Sequence, residues 1–273
     1  MVDLVRPDPA PDAATAKPPL LHVVGVSKRY AGLVALSDYS VTLPEGIIHG
    51  VIGPNGAGKT TLFNVLSGMV KPTSGTIHLR GVDIAHLPPD RVARLGIART
   101  FQNIRLFDDM SVIDNVKVAV QAHHPASLWA TLASARAFSR LERQIHERAV
   151  GLLDLVGLAH RADRQARSLP YGDQRRLEIA RAVAVDPTLL LLDEPSAGMN
   201  PVEATDLLAL IRRLRDELRI TVILVAHDIP LVMNLCDRIQ VLNYGVLIAD
   251  GPPARVRLDP DVIAAYLGQA KDA

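Results

Sequence analysis

From about Leu20 onward, short apolar runs alternate with segments of helical period. Strands are predicted at 22–26, 47–52, 76–79, 96–101, 188–193, 220–226 and 238–242. A further strand at 246–249 follows Asn243-Tyr244-Gly245, a hairpin turn. The later runs are continuously apolar, the pattern of strands covered on both faces of a parallel sheet. Over 202–219, Leu207, Leu210, Ile211, Leu214 and Leu218 recur at helical spacing, with Arg212, Arg213 and Arg215 on the other side as a solvated face. From about Ser111 to Val185 the period is helical throughout. Leu141, Ile145, Ala149, Leu152 and Val156 form one stripe, and His123-His124-Pro125 breaks the stretch before it. A helical lobe inserted into an α/β core is the simplest account, and no internal repeat is visible.

Length and composition narrow this further. At 273 residues the chain suits one large domain or two lobes. With 48% hydrophobic and 22% charged residues it can bury a core and is too apolar to be disordered. Thirty basic residues against 29 acidic ones leave a net charge of +1, which argues against a protein that holds nucleic acid through phosphates. Ten aromatic residues are too few for base-stacking platforms. Cys236 is the only cysteine, so no internal disulfide and no cysteine-built zinc site can form. It is expected to fill a helix face. The adjacent His123 and His124 read as a loop rather than a metal site, and Asp108-Asp109 as a turn cap. No run approaches the roughly 20 apolar residues of a membrane span. Residues 1–19, rich in Pro, Ala and Asp, lack the pattern of a secretory signal and are expected to be disordered. By itself the chain is expected neither to cross a membrane nor to leave the cytoplasm.

The strongest chemical signal is Gly53-Pro54-Asn55-Gly56-Ala57-Gly58-Lys59-Thr60, which fits GxxxxGK[ST] between a predicted strand and a helical stretch at 61–68. Glycines let the backbone turn its amides around phosphate oxygens, and the helix start adds partial positive charge. Lys59 is placed to reach β- and γ-phosphates, and the Thr60 hydroxyl to ligate Mg²⁺.

A second signal is Leu189-Leu190-Leu191-Leu192-Asp193-Glu194, two carboxylates at the end of a buried strand, where open α/β sheets bind ligands. Asp193 suits a Mg²⁺ shell and Glu194 can orient or deprotonate an attacking water. The sequence gives no separate signal for the acceptor pocket of a nucleotide kinase and has no Asn/Thr-Lys-x-Asp guanine motif, so hydrolysis is the favoured chemistry. Thirty-four positions beyond Asp193, His227 stands at a further strand end, beside the expected phosphate site.

Taken together these residues resemble the nucleotide-binding subunits of ABC transporters. Gln102 in ARTFQN resembles the Q-loop, Leu169-Pro170-Tyr171-Gly172-Asp173-Gln174-Arg175-Arg176 the signature sequence, and LLLLDEP the Walker B strand with its glutamate. Ser196-Ala197-Gly198-Met199-Asn200 lies at the D-loop, His227 at the H-loop, and Tyr30 matches the aromatic A-loop residue that stacks on adenine. Within the family, IARTFQNIRLFDDMSVIDNV, DEPSAGMNPVE and GPPARVRLDPDVIAAYLG resemble the ATP-binding subunits of branched-chain amino acid importers. Relatives serving urea, amides or other amino acids share much of this. Two departures stand out. Pro170 replaces the signature serine and lacks both hydroxyl and N–H, with Tyr171 in place of the first signature glycine. Asn200 replaces the D-loop aspartate and removes a charge near the expected dimer contact. Gly172 and a helix starting near Asp173 remain to supply amides.

The resemblance implies a P-loop NTPase (RecA-like) α/β core with an inserted helical subdomain and a small antiparallel β region. Residues 20–268 would form one ATPase domain, with the core at 20–100 and 186–250, the helical part at about 101–185, and a C-terminal helix and tail in 251–273. ATP and Mg²⁺ are the implied ligands. Tyr30, Asn55, Gly56, Ala57, Gly58, Lys59, Thr60 and Thr61 would hold the nucleotide, and Gly172 would contact a partner's nucleotide. Thr60, Gln102 and Asp193 would hold the metal, and Glu194, His227, Lys59 and Gln102 would act in hydrolysis. Implied partners are membrane permease subunits, a second ATP-binding subunit (identical or homologous) and a solute-binding protein, with no nucleic acid. The implied place is the cytoplasmic face of the inner membrane. The rival reading is an ABC-type ATPase acting on ribosomes or DNA. Such proteins carry a long coiled-coil insertion or two cassettes, and this chain has neither sustained heptads nor a second cassette.

Overall fold

The computed structural model describes residues 18–123, 135–226 and 228–267. Two sheets share the core. The larger has the order β10-β9-β3-β8-β7-β6. Its parallel strands are β3 (Ile48–Ile52), β6 (Ile97–Arg99), β7 (Leu189–Asp193), β8 (Thr221–Val225) and β9 (Arg238–Asn243), and β10 (Val246–Gly251) pairs antiparallel with β9. β3, β7 and β8 are buried at every position, as continuous apolar runs require. Strand alternation then divides their side chains. Leu190 and Leu192, with Val222 and Leu224, face one apolar cluster, whereas Leu189 and Leu191, with Ile223 and Val225, face the other.

The first cluster packs against the helices α3 (Val112–His123), α4 (Ala135–Leu155), α5 (Tyr171–Val183), α6 (Pro201–Leu218) and α7 (Ile229–Leu235). The second is closed by α1 (Lys59–Leu66) and by a four-stranded antiparallel sheet of order β2-β1-β4-β5. Its strands are β1 (Leu21–Tyr30), β2 (Leu33–Leu43), β4 (Ser74–Leu79) and β5 (Val82–Asp83). The short α2 (Pro89–Arg94) precedes β6, and α8 (Pro253–Val256) and α9 (Pro260–Leu267) follow β10.

Several expectations need correction. β2 was not foreseen, because its burial alternates and Ser37, Asp38 and Ser40 interrupt its apolar pattern. β6 is three residues long, not six, since the carbonyls of Phe101 and Gln102 bond Arg175 and not a neighbouring strand. α1 begins at Lys59, inside the glycine loop, and α5 at Tyr171, two residues before Asp173. Cys236 lies just past α7, not on a helix face, buried with its Sγ against Gly50. The predicted helix at 202–219 runs over Pro201–Leu218, and Arg219 closes it in the left-handed region at φ 55°. The region from 111 to 185 carries α3, α4 and α5, and the only β pairing among its described residues is an isolated bridge, Ser111 to Gln165. The predicted break at His124-Pro125 and the leader at 1–17 lie outside the described residues, as does the tail from 268. No helix among the described residues is long and apolar enough to cross a membrane.

Candidate functional site

The ends of the parallel strands open into a cleft of about 540 Å³, within the roughly 300–1,000 Å³ usual for small-molecule sites. Tyr30, residues 55–61, Gln102, Asp193 and Glu194 all line it. The structure thus gathers, from four separate stretches of chain, every cleft residue predicted above except His227, which lies outside the described residues.

The loop after β3 is shaped by backbone contacts. At Gly53, with φ 152°, a Cβ would stand 2.1 Å from the Leu242 carbonyl oxygen; at Gly58, with φ 104°, it would stand 2.5 Å from that of Ala35. Only glycine satisfies both constraints. The turn between β9 and β10 holds the loop from outside, since the Gly245 amide donates to the Ala57 carbonyl at 2.9 Å. No side chain caps the start of α1, so its first amides keep the donors that an anion takes. The Lys59 ammonium is almost buried and donates to the carbonyls of Gly53 (2.6 Å) and Pro54 (2.9 Å). Burial pulls its pKa below the usual lysine range, while the charges of Glu194 and Asp193 oppose that shift. The Tyr266 hydroxyl of α9 bonds the Gly53 backbone, and burial raises its pKa to about 12.

Opposite the loop, Asp193 ends β7 and is held by Arg99 of β6, whose Nη2 lies 3.0 Å from Asp193 Oδ2 with both side chains nearly buried. Arg99 also donates to Asn64 Oδ1 (2.8 Å) and Ser67 Oγ (3.1 Å) and lies over the Phe63 ring, so it ties Asp193 to α1. Sequence patterning gave no hint of it. Glu194 takes the left-handed region at φ 47°, fixed by its amide donating to the Val225 carbonyl at 2.8 Å. A non-glycine residue costs energy there, a strain typical of functional positions.

At the outer end Tyr30 is 41% exposed, with the Lys28 ammonium 5.0 Å from its ring centre. Val34, Ala35 and Tyr244 also line the cleft and were not predicted. They arrive there because β2 and the β9–β10 turn pack beside the loop, a juxtaposition no local pattern signals. Gly172 is elsewhere, on the first turn of α5, where a Cβ would stand 3.0 Å from Glu203 Oε1. Asn200 caps α6: its Oδ1 accepts from the amides of Val202 and Glu203, and Glu203 Oε2 accepts from the Asn200 amide. The Asn200-Pro201-Val202-Glu203 sequence is a legible capping box with Pro at the first helical position.

A phosphate cradle with a lysine at its base, facing hydroxyl, amide and carboxylate oxygens, is chemically suited to a polyphosphate and a hard cation. Among the described residues no group of three or more His, Cys, Asp or Glu could hold a metal alone. Mg²⁺ carried by phosphates needs only one or two protein oxygens, and Thr60, Gln102 and Asp193 offer that donor set.

Comparison with known proteins agrees. The model of the family described as "ABC transporter" matches residues 36–197, and that described as "Branched-chain amino acid ATP-binding cassette transporter" matches 246–272. The chain is 48% identical over 252 residues to the high-affinity branched-chain amino acid transport ATP-binding protein LivG of Salmonella typhimurium, covering 92% of this chain and 99% of that one. It is equally similar, with the same coverage, to BraF of Pseudomonas aeruginosa, named in the same words. A crystal structure of the ADP conformation of an ATP-binding cassette of an ABC transporter superposes with a TM-score of 0.79 at 28% identity, covering 92% of this chain and all of that one.

Proposed function

The chain belongs to the ABC transporter family, and from that membership we propose that it is the ATP-hydrolysing subunit of a membrane importer of branched-chain amino acids. The observation that carries the reading is the convergence of residues 55–61, Gln102, Asp193 and Glu194 on one cleft.

The cradle and the Lys59 ammonium hold the β- and γ-phosphates, exchanging the carbonyls of Gly53 and Pro54 for phosphate oxygens. Tyr30 stacks on the adenine. Thr60, Gln102 and Asp193 are the residues that would hold Mg²⁺. When bound, that ion neutralises charge on the phosphate oxygens as the transferred group loosens. Glu194 accepts a proton from a water whose oxygen bonds to the γ-phosphorus, while the bond from that phosphorus to the bridging oxygen breaks, giving ADP and phosphate. His227 is assigned to the same γ-phosphate end, and Gly172 to the nucleotide of a second ATP-binding subunit, identical or homologous. Binding of ATP between two such subunits drives closure only by the amount that the closed state binds it better. The helices of 101–185 and the Gln102 loop face permease subunits at the cytoplasmic side of the membrane, and a solute-binding protein completes the assembly. The relatives named above are transport ATP-binding proteins, which favours transport over action on ribosomes or DNA.

Glu194→Gln tests the chemistry. It is expected to keep ATP binding, lower hydrolysis by at least about a hundredfold, and accumulate a dimer on a sizing column with Mg-ATP. Hydrolysis at the parent's rate removes Glu194 from its role. For the transport reading, tagged protein drawn from detergent-solubilised membranes should bring multi-span permease chains and a second ATPase. Ribosomal or DNA factors in their place overturn it.

A further inference from the structure

Gln102 enters the cleft from a peptide that is held from behind by one face of α5. Arg175, Glu178 and Arg181 recur every three residues and therefore share that face. Arg175 is completely buried; its Nη1 donates to the Phe101 carbonyl (2.7 Å) and its Nη2 to the Gln102 carbonyl (2.8 Å). Glu178 Oε2 lies 2.7 Å from Arg175 Nη1, and Glu178 Oε1 accepts the Phe101 amide at 3.3 Å. Arg181 donates to the Arg105 carbonyl and lies over the Phe107 ring at 4.6 Å. One helix face thus reads the backbone of the Gln102 loop through both its carbonyls and its amide.

Such a pair is a poor way to gain stability, because removing two charges from water costs about what their attraction returns. A planar guanidinium with two parallel N–H bonds does fix direction, and two consecutive carbonyls leave the Gln102 peptide little freedom to turn. We propose that Arg175 and Glu178 are positioning residues for Gln102. They set its side chain toward the metal position beside Asp193. They also make the Gln102 loop move as one piece with the first turn of α5, where Tyr171 and Gly172 lie. Tyr171 reports the continuity of this unit, since its hydroxyl lies 3.2 Å from Arg175 Nη2. Through Arg175, a contact made by α5 with one nucleotide is felt at the Gln102 of the other cleft. This rests on reading the cleft as a nucleotide site with Gln102 as a metal ligand.

The test uses the full chain and a fluorescent ATP analogue, titrated without Mg²⁺ and then with increasing Mg²⁺, in the parent, Gln102→Ala, Arg175→Lys and Glu178→Gln. Hydrogen exchange over 101–105 is followed alongside. Arg175→Lys keeps the charge and loses the fork. It is expected to bind the analogue normally without Mg²⁺, to need about ten- to a hundredfold more Mg²⁺ for the metal-dependent response, as Gln102→Ala should, and to speed exchange at 101–105. Glu178→Gln retains an oxygen for the Phe101 amide and should fall between Arg175→Lys and the parent. It also carries the test if Arg175→Lys does not fold. A parental Mg²⁺ response in both clamp variants, with Gln102→Ala impaired, overturns the clamp. A parental response in Gln102→Ala overturns the metal-ligand reading and this proposal with it, while unchanged exchange in Arg175→Lys overturns the clamp separately.

Discussion

The two ends of the cleft are built by different means. At the phosphate end, β3, β7 and β8 are buried at every position and pair in parallel without a register shift. The loop there is fixed by backbone contacts at Gly53 and Gly58 that admit no side chain. At the base end, Tyr30 finishes a strand whose pairing with β2 slips register three times, between Val23 and Val26, Val26 and Lys28, and Lys28 and Arg29. Bulges of this kind re-aim side chains at sheet edges. One end dictates where charge goes; the other leans an exposed ring against whatever arrives. The energetic prediction is a steep gradient from phosphate to base.

Lys59→Ala probes the top of that gradient. ATP turnover should fall by more than about a hundredfold, the scale seen when one preorganised donor to a developing charge is removed. A steady-state phosphate-release assay that finds near-normal turnover would undo the phosphate-loop assignment. Arg99→Ala tests the rigidity beneath it. The ion pair with Asp193 is nearly buried, and removing one partner of such a pair costs about 3 kcal/mol or more. The urea midpoint should drop accordingly with an unchanged slope. A change within error would mean that water reaches Asp193 freely and that the phosphate end is looser than its burial suggests.

The joint between the two sheets is polar and encloses a histidine. Gln240 Oε1 accepts from the Tyr39 hydroxyl at 2.5 Å and faces His49 Nε2 at 3.3 Å, while Gln240 Nε2 donates to Asp250 Oδ2 at 3.0 Å. His49 is fully buried and its Nδ1 has no partner. Protonation there would create a buried N–H with no acceptor. Burial accordingly holds the His49 pKa down to about 4, with Gln240 and Asp250 pulling it up and Arg238 pushing it down. Because the folded value lies below that of the unfolded chain, the contribution is fully present above about pH 6.5 and is lost as pH falls toward 4, by up to about 3 kcal/mol. Urea unfolding at pH 7.5 and pH 5 checks it. His49→Gln, neutral at both, should flatten that difference; an equal slope in the variant places the acid sensitivity elsewhere.

The same contrast governs what could be read in advance. Continuous apolar strands announce themselves, and the glycine loop and the acid pair carry their chemistry in local spacing, so the phosphate end was legible almost residue by residue. β2 was not, because Leu33–Leu43 mixes buried Leu36, Tyr39, Val41 and Leu43 with exposed polar neighbours, and a bulged edge has no clean period. Val34, Ala35 and Tyr244 went unread with it. Arg175, read only as part of the signature sequence, and Glu178, not singled out, hid their role for another reason. Charges three apart on a helix read as a solvated face, and their true partners lie more than seventy positions away. Asn200 was read only as a lost charge near a dimer contact; the structure adds that with Glu203 it caps α6.

The smallest expected effect tests the base end. Aromatic stacking on a base is worth roughly 1–3 kcal/mol by alanine substitution. Tyr30 should sit at the bottom of that range, because it is 41% exposed and already has the Lys28 ammonium 5.0 Å from its ring centre. Tyr30→Ala should weaken a fluorescent ATP analogue by about fivefold, near 1 kcal/mol, with the Mg²⁺ response and turnover at saturating ATP unchanged. Unaltered affinity would return Tyr30 to an ordinary surface role. A loss approaching that of Lys59→Ala would erase the gradient, since it would mean that the bulged edge helps to place the phosphates and is as rigid as the buried strands opposite it.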